Sequence, residues 1–143
     1  MEARFRTLQL IWAAMSGGIV MYTGVMVVLL VLGLIEMPGL PRIALTLGAV
    51  VAASILGIGM VKRRRLIEAI PPGITPETRF GHYQTATIIG LGIMEGGGLF
   101  LITLGLVAGS PTWVLAGGGA SLLMLAISRP RADEAGIGGA GRR

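Results

Sequence analysis

The chain has 143 residues, of which 53% are hydrophobic and only 13% charged, against about 25% charged residues in ordinary soluble domains. That balance excludes a water-soluble globule and is too apolar for a disordered chain. The absence of cysteine removes disulfides, iron–sulfur clusters, thiolate metal sites and cysteine nucleophiles, and a single histidine, His82, removes a multi-histidine zinc site. No metal and no cofactor is expected, and the class that remains is a small integral membrane protein.

In chain order, an uncharged run from Thr7 reaches Ile35 and breaks at Glu36 and the turn-forming Met37-Pro38-Gly39-Leu40-Pro41. It is long enough to span a bilayer, for which about 20 apolar residues suffice. A second run, Ile43 to Val61, stops at Lys62-Arg63-Arg64-Arg65. A third, Tyr83 to Ala108, contains one charge, Glu95. A fourth, Pro111 to Ser128, stops at Arg129-Pro130-Arg131. Spans are thus expected at about 8–35, 41–61, 80–108 and 111–128, forming one transmembrane domain over 1–131, with a flexible cytoplasmic tail over 132–143. All four should be helices, because in lipid each backbone polar group must be satisfied within its own segment.

The boundaries carry helix punctuation. Thr75-Pro76-Glu77 reads as an N-cap, a proline at the first helical position and an acid where the helix dipole favours it. Ser110-Pro111 repeats the cap and proline, and Pro41 can open the second helix. His82, Phe80, Tyr83 and Trp113 suit headgroup level, where aromatic rings collect.

Every lysine and arginine except Arg42 falls before the first span, between the second and third, or after the fourth. The positive-inside rule therefore expects both termini and the middle loop in the cytoplasm, for a multi-pass protein of a bacterial cytoplasmic membrane. The same distribution accounts for the net charge of +5 without nucleic acid, since no basic stripe interleaved with aromatics is present.

A weak repeat runs through the chain. Arg4-Phe5 followed by Gln9 recurs as Arg79-Phe80 followed by Gln84, and Pro41, Leu45 and Gly48 recur as Pro111, Leu115 and Gly118. It suggests an all-α, four-helix bundle of two parallel-related helical hairpins, N-in and C-in. Many of the 24 glycines lie inside spans, where small residues let helices approach closely. Gly17, Gly18, Gly92, Gly96 and Gly118 are the candidate packing positions. The supply of glycine exceeds what four short helices need, which points to association with other membrane subunits or with a second copy.

Glu95 lies at the middle of the third span, where an ionised acid costs about 2.5–3.5 kcal/mol on insertion scales. No basic residue lies at that depth, so a partner must be a hydroxyl, a backbone group, an ion or another chain. By depth the candidates within the chain are Tyr22, Thr23 and Ser121; Thr46, Ser54 and Thr103 sit further from the midplane. Two uses are open: reversible proton or cation binding, or a protonated acid whose hydrogen bond fixes helix packing.

The stretch from Ile88 to Leu106, in which Glu95 follows small residues and precedes an aliphatic run, resembles the ion-carrying helix of rotary ATPase proteolipid (c) subunits. The resemblance implies that Glu95 takes the place of the proton- or sodium-binding acid, with Tyr22 or Thr23 as its hydroxyl partner. Here the acid is on the first helix of the second hairpin, whereas the family carries it on the second helix of a hairpin.

No Ser-His-Asp set, paired intramembrane carboxylates, phosphate loop or dinucleotide fingerprint can be assembled. The function expected is a non-catalytic accessory or scaffolding subunit of a larger membrane complex. The alternative is a proton- or cation-binding proteolipid or small transporter using Glu95.

Overall fold

A computed structural model of the chain describes residues 2–136 and is all-helical. Four helices follow one another: α1 (Glu2–Val31), α2 (Arg42–Glu68), α3 (Pro76–Val107) and α4 (Pro111–Ile127). The first three are long and apolar enough to cross a membrane, while α4 is a shorter apolar helix of 17 residues. The chain is thus a helical, membrane-span-capable protein. Large apolar side chains such as Met21, Ile43, Leu47 and Leu123 stand on the outside, where lipid rather than water can solvate them.

Helix ends follow local chemistry. Thr75 caps α3, its hydroxyl accepting the Thr78 N–H at 3.3 Å, with Pro76 as the first helical residue. Ser110 holds the equivalent position before α4 but makes no side-chain cap, and Pro41 stands at the N-cap of α2 rather than within it. At the other ends, α1 and α3 stop alike. Gly33 (φ 65°) and Gly109 (φ 64°) turn left-handed, and the next residue reaches back: Leu34 N–H to the Leu29 carbonyl and Ser110 N–H to Gly105, each at 3.0 Å. This is the Schellman closure, which favours glycine because a Cβ there is strained. It ends α1 at Val31, four residues before the end of its expected span, while α2 runs on through Lys62–Arg65 to Glu68.

α3 is the hub. α2 packs along one side of it and α4 along another, α1 lies against α4 and more lightly against α3, and α1 and α2 do not pack on each other. The expected pairing into two equivalent hairpins therefore holds for α3 and α4 but not for α1 and α2. The cross-contacts between the two halves are kept: Gly48 of α2 abuts Leu104 of α3, and its counterpart Gly118 of α4 abuts Thr23 of α1.

Two buried clusters hold the helices. The larger joins Ile19, Leu56, Leu91, Met94, Ile102, Val114 and Leu125, drawn from all four helices. The smaller joins Leu8, Phe80, Tyr83 and Ala135, with Phe5, Ile67 and Ile70 against it, so the start of α1, the end of α2, the start of α3 and the segment after α4 share one end of the bundle. Residues 132–136, expected within a free tail, are thus packed through Ala135; residues 137–143 of that tail lie outside the described residues.

Candidate functional site

The glycines sort by the helix face they occupy. On α3, Gly90 and Gly97 meet α2, where a Cβ would press on Arg63 and on Ile55 and Leu56, while Gly98 and Gly105 meet α4 at Ser121 and at Trp113–Val114. On α4, Gly117 backs onto Leu101 and Ile102, and Gly118 onto Thr23. Of the expected packing positions, Gly118 is therefore in the bundle. Gly17, Gly18, Gly92 and Gly96 are not, for each has no atom within 4 Å of where a Cβ would stand. The reason is angular: at 3.6 residues per turn, Gly92 and Gly96 fall on the arc of α3 opposite its buried glycines.

That arc is open. Thr85, Ile88, Ile89, Gly92, Gly96, Leu99, Phe100 and Thr103 form an exposed face of α3, flanked by α1 and α2, which do not meet across it. At one end the face widens into a groove of about 450 Å³ lined by Leu66 of α2 and by Thr78, His82, Thr85 and Ile89 of α3. His82 is exposed there.

Glu95 lies beside this face, one helical turn from Gly98, and is partly buried. None of its expected hydroxyl partners bonds it. Thr23 Oγ1 donates to the Ile19 carbonyl at 2.7 Å and Ser121 Oγ to the Gly117 carbonyl at 2.6 Å, each satisfied one turn back in its own helix. Tyr22 Oη instead pairs with Thr103 Oγ1 at 3.1 Å, linking α1 to α3. Thr46 and Ser54 likewise bond their own helix, at the Arg42 and Val50 carbonyls. Thr23 and Ser121 are brought to the centre of the bundle as small groups seated on glycine, and Glu95 has no hydrogen-bond partner among the described residues.

A second polar centre was not foreseen. In the run Lys62-Arg63-Arg64-Arg65 the helix continues, so its period turns Arg63 inward while the other three face out. The Arg63 side chain is 11% exposed and donates from Nη2 to Glu134 Oε2 at 2.6 Å. Its guanidinium carbon lies 6.0 Å from the centroid of the Tyr83 ring. The Tyr83 hydroxyl accepts the Arg131 main-chain N–H at 3.0 Å and donates to Glu134 at 3.4 Å. Arg63 Nε and Thr87 Oγ1 are buried beside this cluster without a partner among the described residues. The available sequence signal was the pair of acids after the last span, Asp133 and Glu134; which of them turns inward, and which of four consecutive cations it meets, depends on the phase of the chain.

Among the described residues no group of three or more histidines or carboxylates could hold a metal ion. Comparison of the chain with protein-family models, with curated proteins and with solved structures gave no match.

Proposed function

We propose that the chain is a non-catalytic accessory or scaffolding subunit of a larger membrane complex, and that another transmembrane helix lies on the open face of α3. The observation that carries this reading is the exposed pair Gly92 and Gly96, without a neighbour within 4 Å, on a face that α1 and α2 flank but do not close. Small residues four apart are how helices approach each other in lipid, where burial of apolar surface gives no net gain. In this reading the end bearing Arg4, Arg6, Lys62–Arg65, Arg79, Arg129 and Arg131 faces the cytoplasm of a bacterial cell, by the positive-inside rule.

The test is the native mass and composition of the protein extracted gently from its own membrane. Co-migration with unrelated subunits at fixed stoichiometry supports the proposal and identifies the complex. The substitutions Gly92→Leu and Gly96→Leu should then release the protein from that complex without unfolding it, and an unchanged complex overturns the assignment of the face.

One observation favours a second reading. Glu95 is partly buried as a residue near the middle of α3, and its carboxyl has no hydrogen-bond partner among the described residues, which leaves it open to a proton or cation, the role implied by the likeness to rotary ATPase proteolipid subunits. A homo-oligomeric ring, with carboxyl labelling of Glu95 that an ion suppresses, would support this reading over the first.

A further inference from the structure

The segment that leaves α4 starts beside Met94 of α3, runs to one end of the bundle and touches three helices in nine residues. Beginning at Ser128, whose hydroxyl meets Met94 Sδ at 3.4 Å, it lays the Arg129 guanidinium 5.5 Å from the centroid of the Trp12 ring of α1. The Arg131 N–H then bonds Tyr83 of α3, Glu134 pairs with Arg63 of α2, and Ala135, 2% exposed, is buried with Leu8 of α1 and Phe80 of α3. Meanwhile α1 and α2 do not pack on each other, and at this end the loop after α2 leads to α3 rather than to α1. The crossing segment is what spans the gap.

We infer that Ser128–Gly136 is a clasp that sets the separation of α1 and α2 across α3, with the Arg63–Glu134 ion pair as its catch. Arg63 is pressed against Gly90 and largely removed from solvent, and a cation so placed needs a counter-charge. Among the described residues Glu134 is the carboxylate that supplies it. The remaining contacts of the clasp are two neutral hydrogen bonds, from Ser128 and from the Arg131 N–H, a small apolar residue and an exposed arginine over a ring, each weaker than a charge-assisted bond. Loss of the Glu134 charge therefore leaves Arg63 uncompensated and loosens the segment as a unit. The inference stands independently of what docks on α3.

The absence of native cysteine allows a direct test by distance measurement between spin labels in the full chain, reconstituted in lipid nanodiscs. Labels at Arg6→Cys and Arg65→Cys, both exposed, report the separation of α1 and α2 at the clasped end, and labels at Leu32→Cys and Ile43→Cys report the opposite end. Glu134→Gln should broaden the first distribution and shift it to longer distance while leaving the second unchanged. The exchanged pair Arg63→Glu with Glu134→Arg should restore the narrow distribution. An unchanged first distribution in Glu134→Gln overturns the inference. So does broadening at both ends that the exchanged pair fails to reverse, because the ion pair would then serve the whole fold rather than a clasp.

Discussion

The indole N–H of Trp12 donates to the main-chain carbonyl of Leu125 at 2.8 Å, across 113 positions of sequence. Leu125 lies in the last turn of α4, where carbonyls have no partner within the helix, so a side chain of α1 completes the end of α4. Because α1 makes only light contact with α3, this bond and the Tyr22–Thr103 hydrogen bond anchor α1 where it otherwise rests mainly on apolar packing. Trp12→Phe keeps most of the ring's apolar contact and removes the donor. We expect a loss of about 1 kcal/mol, read as a lower unfolding midpoint in detergent, with helix content retained.

The glycines should divide into two classes on substitution by alanine. At Gly98 and Gly118 a Cβ would run into Ser121 and Thr23, both fully or nearly fully buried, so each change should destabilise by about 1–3 kcal/mol through overpacking. Gly92→Ala and Gly96→Ala meet nothing within the chain and should leave stability equal or slightly raised, given the higher helix propensity of alanine. Equal losses at all four positions would contradict the packing described.

Thr87 is completely buried and its hydroxyl has no partner among the described residues. An unpaired buried hydroxyl carries a desolvation cost that an apolar group of similar shape does not. Thr87→Val should therefore leave stability unchanged or raise it by up to about 1 kcal/mol. A clear loss in thermal unfolding would mean that the hydroxyl is bonded in the membrane.

Glu95→Gln retains size and hydrogen-bonding capacity while removing titration. If the protein is an accessory subunit, the variant should assemble in normal amount and leave ion movement through the complex unaltered. Normal assembly with lost ion coupling would instead move the function to Glu95. Glu95→Leu, which also removes hydrogen bonding, separates either outcome from a requirement for polar contact alone.

Much of the architecture was legible because lipid makes it so. Apolar runs, punctuated by Thr75-Pro76 and Ser110-Pro111, can be little else than helices in lipid, and four helices were found where four were expected, three of them long and apolar enough to cross a membrane. Helix phase and partner choice were not legible. Gly92 and Gly96 carry the spacing of a packing motif, yet the contacts fall to Gly90, Gly97 and Gly98, because the spacing is the same on every side of a glycine-rich helix. Tyr22, Thr23 and Ser121 were expected at the depth of Glu95, but a hydroxyl can satisfy itself on the carbonyl one turn back, as two of them do, and Tyr22 meets Thr103 instead. Arg63 was hidden among its neighbours, since a run of cations gives no hint of which one turns inward.

At 17 residues, α4 measures about 25 Å, short of the roughly 30 Å of a hydrocarbon core. Its companions are each at least 27 residues long, and α4 still turns Leu115, Leu123 and Ile127 outward. Mismatch of this kind is met by tilt or by a local dimple in the bilayer. The molecule would then be thinner on one flank than on the others, imposing an uneven thickness on its lipid annulus.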